Sequence, residues 1–197
     1  MTVLLFDLGG VLVDSTGLAA LKRLLPHWRE ADIATRWHGS AAVGRFERGV
    51  VDTERFAREF LAEWPIEMAP DAFIAAFTAW VTGFYPGALE LLARLRRRHT
   101  LACLSNTNAA HWAHMGRDLD VFHHRIASHL VGHMKPEPEI YARALEQLGV
   151  AAGEVHFFDD LPANVAAARE AGMQAHQVRG VAETAAALRR LGLAGED

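Results

Sequence analysis

The 197-residue chain has a single cysteine, Cys103, so no intramolecular disulfide can form and a disulfide-built secreted scaffold is excluded. Positive charge is not in excess either. Twenty Lys and Arg stand against 24 Asp and Glu, a net charge of -4, without the clustered basic surface that nucleic-acid phosphates call for. The one basic run, Arg96-Arg97-Arg98-His99, follows an apolar helical pattern, where positive charge complements the negative end of a helix dipole. Long hydrophobic runs are missing as well. Met1 to Phe6 carries no basic residue and is stopped by Asp7, unlike a signal peptide, and no apolar stretch is long enough to span a bilayer. The expectation is a cytoplasmic protein with no nucleic-acid or membrane partner.

What is present is ordinary core material, 51% hydrophobic and 22% charged residues, enough for one compact domain carrying a smaller insertion. Val3 to Phe6, Leu101 to Leu104 and Val155 to Phe158 are continuous apolar runs, the mark of strands covered on both faces of a parallel sheet. Ala175 to Val178 is a weaker run, and Arg125 to Ser128 a further short strand or extended link. Cys103, inside such a run, reads as a small buried hydrophobe. Between the runs, Ala88, Leu89, Leu91, Leu92 and Leu95 share a helical face, as do Ile140, Ala144, Leu145 and Leu148. Helices are also expected over Pro162 to Ala171 and Ala182 to Leu191, with Ala194 to Asp197 fraying. Strands alternating with helices give an α/β fold. From Asp14 to Tyr85 the pattern changes. Leu18 to Leu25, Thr53 to Trp64 and Asp71 to Val81 have helical spacing, with Asp52 or Thr53 as a cap, and no convincing strand appears.

Open parallel sheets place their sites at the carboxyl ends of strands, so the residues there are a direct search for function. After the first run come Asp7-Leu8-Gly9-Gly10, after the second Ser105-Asn106-Thr107-Asn108, and after Val155 to Phe158 Asp159-Asp160-Leu161-Pro162. Lys135-Pro136 opens a helix between them. Each of these alone is a turn former, a helix cap or a surface cation. Together they make chemical sense. A carboxylate such as Asp7 can attack phosphorus, but its charge repels a phosphate dianion, so cations must sit beside it. Asp7 and Asp160 suit Mg2+, Lys135 adds a second positive charge, and Ser105 can bind the transferred oxygens.

At these residues the chain strongly resembles the haloacid dehalogenase superfamily. Phe6 to Leu12 is similar to its first motif, Leu104 to Asn108 to its second, Lys135-Pro136 to its third, and Phe157 to Asp160 with Asn164 to its fourth. Leu104 to His111 and Met134 to Tyr141 look closest to a subgroup containing bacterial sugar-1-phosphate phosphatases and the N-terminal phosphatase domain of soluble epoxide hydrolase. The resemblance implies a Rossmann-like parallel sheet core, residues 1-13 and 86-197, with a small helical cap over 14-85. It implies a magnesium-dependent phosphatase with Asp7 as nucleophile and metal ligand and Asp160 as the other carboxylate ligand. Asp159 is implied in a supporting or water-mediated place, and the Gly9 carbonyl as a further ligand. Ser105 and, less directly, Asn106 would bind phosphate, Lys135 would bridge phosphate and Asp7, and Asn164 would support the loop carrying Asp160. The partner implied is a small phosphorylated metabolite, and the chain a monomer or homodimer.

One position departs from the family pattern. An aspartate that serves as general acid and base is usual two residues after the nucleophile, and here that position is Gly9. The carbonyl survives, but a proton-transfer group typically worth a hundred- to ten-thousand-fold, on the order of 10² to 10⁴ in rate, is gone. Leaving groups that need little protonation, or a substitute such as Asp14 or a cap residue, would meet the loss. Two other readings stay open: a haloacid dehalogenase proper, for which Asp159-Asp160 would serve little purpose, and a degenerate phosphate-binding protein. None of the histidine pairs shows a third zinc ligand, and His111 is placed to line the pocket. Trp28, Trp37, Phe46 and Phe56 read as cap core, with one or two facing the substrate.

Overall fold

The computed structural model describes residues 2 to 194, so Gly195 to Asp197, expected to fray, lie outside the described residues. Seven strands are described: β1 Val3–Phe6, β2 Val13–Ser15, β3 Val81–Phe84, β4 Thr100–Ser105, β5 His124–Ala127, β6 Val155–Asp159 and β7 Gln174–Gln177. Five form one parallel sheet in the order β5-β4-β1-β6-β7, which puts β1 at its centre. All four residues of β1 are buried, as its unbroken apolar run requires. Alternation divides them between two cores. Leu4 and Phe6 join Leu101, Cys103 and Phe158 on one face, while Val3 and Leu5 join Ala102, Leu104 and Phe157 on the other.

The helices are α1 Gly17–Leu24, α2 Glu30–Gly39, α3 Ala41–Glu47, α4 Thr53–Glu63, α5 Pro70–Thr78, α6 Ala88–Leu95, α7 Ala109–Met115, α8 Ser128–Val131, α9 Pro138–Leu148, α10 Pro162–Glu170 and α11 Gly180–Arg190. Those around the sheet start at Pro or end at Gly much as expected. Pro138 and Pro162 open α9 and α10, and Gly149 takes a left-handed conformation after α9. The expected strand over 175-178 lies one residue earlier, and α11 begins two residues earlier than expected.

The segment between β2 and β3 corrects the expectation in three places. It is bracketed by strands: β2 and β3 pair antiparallel, Val13 with Phe84 and Asp14 with Gly83. Strands of three and four residues are too short to show an alternation. The helix expected to run to Val81 stops at Thr78, where β3 takes over the apolar residue Val81. Helices α2 and α3 were not foreseen. Only Ile33 is buried in α2, and α3 is a seven-residue helix interrupted by Gly44, so neither carries a visible apolar stripe. Asp52 rather than Thr53 caps α4, accepting from the Arg55 N–H at 2.7 Å.

This helical segment builds its own apolar cluster. Phe46, Phe56, Phe60, Phe73 and Phe77 are buried together, with Phe46 and Phe56 stacked 4.2 Å apart. It meets the sheet domain through a few contacts. The His111 ring stacks on Phe77 at 4.2 Å and bonds the Phe77 carbonyl through Nε2 at 2.8 Å. Arg48 pairs with Glu137, and Gly49, at φ 69°, lies so close to the His129 carbonyl that a Cβ would collide with it.

Candidate active site

The crossing of β1, β4 and β6 brings the expected residues to one edge. Asp7 follows β1, Ser105 closes β4 and Asp159 closes β6. Their anchor is Lys135, wholly buried, whose Nζ lies 2.8 Å from Asp7 Oδ1 and 2.7 Å from Asp159 Oδ2. The Lys135-Pro136 peptide is cis. Its backbone is held by Asn106, whose Oδ1 accepts from the Lys135 N–H at 2.8 Å and whose Nδ2 donates to the Lys135 carbonyl at 2.9 Å. The Asn106 amide is therefore committed to clamping the lysine. Sequence reasoning placed it near phosphate; what it touches is Lys135.

The two adjacent aspartates differ sharply. Asp159 is saturated: Oδ1 accepts from the Leu161 N–H at 2.9 Å and Asn164 Nδ2 at 3.0 Å, and Oδ2 from Lys135 and again from Asn164 at 3.1 Å. Asn164, expected to support the loop, does so by gripping Asp159. Asp160 is only partly buried, and its nearest cation is Arg179, 3.7 Å away at the surface. It packs against Gly10 at φ 72°, where any side chain would strike its carboxyl. Ser105 is buried, and its Oγ has only a 3.5 Å contact with the Asn106 carbonyl, leaving it free for a ligand.

Electrostatics follow from this packing. Burial pushes the Asp7 carboxyl up to about 7; Lys135 works against that shift and Asp159 adds to it. Lys135 is held above the ordinary lysine range, because the two carboxylates outweigh its burial. Asp160 is raised by burial and then by Asp159. Oδ1 of Asp7 accepts from the Leu8 N–H at 2.7 Å as well as from Lys135, whereas no protein donor among the described residues reaches Oδ2. The chemistry this allows is attack by Oδ2, with Oδ1 fixed.

Oxygens of Asp7, Asp159 and Asp160 all lie within 4.8 Å of one another. Hard, anionic oxygens at that spacing fit a divalent cation of the Mg2+ kind, and Asp160, less heavily bonded than Asp159, is the better placed of the adjacent pair. A second trio, His133, Glu137 and Glu139, also converges, though of the histidine pairs it contains only His133. Glu137, however, already accepts from the Met134 N–H at 3.0 Å and pairs with Arg48.

Beside the carboxylates, a cavity of about 340 Å³ opens under the helical segment, walled by Leu8, Gly9, Ser105 and Asn106 on one side and Trp37 and Trp80 on the other. His111 lines it, as expected, with both ring nitrogens occupied: Asn108 Nδ2 lies 3.1 Å from Nδ1. Trp37 lines it too, while Phe46 and Phe56 are buried in the aromatic cluster and Trp28 packs against that cluster. Val13 and Ser15 face the cavity, and the Asp14 carboxylate bonds the Tyr85 hydroxyl. At Gly9 an added Cβ would meet nothing within 4 Å.

A parallel sheet carrying a buried lysine and convergent aspartates at its carboxyl edge is the fold and site of a hydrolase. The chain belongs to the haloacid dehalogenase-like hydrolase family, whose sequence model matches residues 1–172. It is 25% identical over 186 residues to D-ribitol-5-phosphate phosphatase of Bacteroides thetaiotaomicron, covering 88% of this chain and 90% of that protein. It is 26% identical over 187 residues to acyl-CoA dehydrogenase family member 10 of Mus musculus, matching 88% of this chain but only 17% of that longer protein. A haloacid dehalogenase family enzyme of Bacteroides thetaiotaomicron, solved with magnesium and inorganic phosphate, shares the fold at a TM-score of 0.77. That pair is 24% identical, covering 100% of this chain and 96% of the other.

Proposed function

We propose that this hydrolase is a magnesium-dependent phosphoric monoester hydrolase acting on a small phosphorylated metabolite of the sugar- or polyol-phosphate kind. The observation that carries this reading is the Lys135 ammonium held between Asp7 and Asp159, with Asp160 beside them and Asp7 Oδ2 left free. Such an arrangement offsets the repulsion between a carboxylate nucleophile and a phosphate dianion. In this reading residues 1-13 and 86-197 are the catalytic core and 14-85 the cap. Asp7 and Asp160, with the Gly9 carbonyl, would hold Mg2+, which when bound neutralises charge shared by carboxylates and phosphate. Magnesium and phosphate in the related Bacteroides structure support that assignment.

Asp7 Oδ2 attacks phosphorus, the bond from phosphorus to the leaving oxygen breaks, and an aspartyl-phosphate forms on Asp7. Ser105 Oγ donates to the transferred oxygens and Lys135 steadies Asp7. Water then attacks phosphorus, releasing inorganic phosphate and restoring the carboxylate. With Gly9 in place of an acid, the leaving oxygen takes its proton from solvent, which favours an acidic leaving group such as an anomeric hydroxyl. The test is phosphate release from a panel of phosphorylated metabolites with and without chelator, alongside chloride release from 2-haloacids. Chelator-sensitive phosphate release is expected. Chelator-insensitive chloride release would make the protein a dehalogenase instead.

A further inference from the structure

Glu47, the last residue of α3, is the only acidic side chain lining the cavity among the described residues. It has no hydrogen bond or ion pair among the described residues. Its neighbour Arg48 turns away, to the Gly44 carbonyl at 3.1 Å and to Glu137. A carboxylate at the C-terminal end of a helix is also opposed by the helix dipole. Burial pushes it up to about 7, with Arg48 working against that shift. Glu47 shares its cavity with Gly9 and Ser105 but is not among the carboxylates that converge at the transfer site. As a folding element it is a liability, and an unpaired acid kept inside a substrate cavity points to a ligand.

Among the other walls, Trp37 and Trp80 are apolar faces, both nitrogens of His111 are taken, and His38 Nδ1 is bonded to the Ala34 carbonyl at 2.7 Å. Ser15 and Thr107 add neutral hydroxyls, so Glu47 is the one carboxylate a polar tail can meet there among the described residues. We propose that Glu47 is the specificity-determining residue of this chamber, its carboxyl binding hydroxyl groups at the end of the substrate remote from the phosphate. Ionised, it accepts from two hydroxyls; neutral, it accepts from one and donates to another. An ammonium tail is disfavoured because the Arg48 charge already acts at this position. The assignment rests on the phosphatase reading and adds to it the residue that selects a polyol or sugar leaving group over an alkyl chain or an amine.

The experiment compares kcat/KM, with Mg2+, for a pentitol 5-phosphate, pentyl phosphate and 5-aminopentyl phosphate, in the wild type, Glu47→Leu and Glu47→Gln. The wild type is expected to prefer the pentitol phosphate. In Glu47→Leu its preference over pentyl phosphate should fall by about tenfold or more, mainly through KM, because hydroxyls lose their buried partner. Glu47→Gln, which keeps an acceptor and a donor in the same shape, should restore the preference to within about threefold. Glu47→Ala reads the same ratio should the leucine not be accommodated. An unchanged ratio in the apolar variants, or a wild-type preference for the amine, overturns the assignment while the phosphatase reading stands. Absence of phosphate release from all three by the wild type overturns both.

Discussion

The transfer site and the chamber beside it solve opposite problems. At the transfer site the supporting groups are spoken for, leaving Asp7 Oδ2 and Ser105 Oγ to the substrate: Asp159 accepts four hydrogen bonds, Asn106 clamps the backbone of Lys135, and Lys135 spans two carboxylates. In the chamber a lone carboxylate, Glu47, lines the cavity with no hydrogen-bond partner among the described residues. The first arrangement fixes charges for one reaction on one group, phosphate. The second leaves a polar valence open, which is what a site needs when the substrate must complete it. Preorganisation and incompleteness are thus divided between sheet and helical segment.

The sharpest way to break this contrast is at the nucleophile. Asp7→Asn should lower phosphate release by at least about a thousand-fold while the protein stays folded, since a neutral amide cannot attack phosphorus. Retained turnover would mean that the fixed charges serve some other group. Lys135→Met should be the most destabilising change, about 3 kcal/mol, because Asp7 and Asp159 would face each other buried and uncompensated. Thermal unfolding at pH 8 measures it; an unaltered midpoint would show that the lysine does not hold the site together.

The chamber should respond with the opposite sign. Glu47 binds its proton more tightly in the folded than in the unfolded protein, about 7 against 4.5. Its contribution to stability is therefore full below pH 4.5 and is lost as the pH rises through 7. Glu47→Gln should stabilise the protein at pH 8 by about 2 kcal/mol, and by much less at pH 5. A loss of stability at pH 8 would mean that the carboxylate has a partner. The smallest effect is expected where the two regions meet. Gly9→Asp has open space for its side chain and should speed hydrolysis of simple alkyl phosphates by about tenfold, less than the roughly hundred-fold minimum of a general acid in its native setting. No gain, with metal binding intact, would show that protonation of the leaving group is not limiting.

The same division explains what could be read from the sequence. Asp7, Ser105 and Asp159-Asp160 stand at the ends of β1, β4 and β6, whose apolar runs are long enough to declare a buried sheet, so the site edge followed from strand ends. The chamber offered no such signal. The β2–β3 pair is too short to alternate, α2 buries only Ile33, and Glu47 in a sequence looks like any solvated helix-end charge. Only the packing of α3 against α4 and α8 turns that side chain towards the cavity. The role of Asn106 was hidden for a similar reason: its partner, Lys135, is 29 residues away and reached only through the fold.

The central claim is that Asp7 carries the phosphoryl group. Wild-type enzyme turning over a phosphate monoester with Mg2+ can be quenched with borohydride and digested, and residue 7 analysed by mass spectrometry. An aspartyl-phosphate would be reduced there to homoserine, and Asp7→Asn should give none. Steady turnover with residue 7 unmodified, or homoserine at another aspartate, would contradict the account.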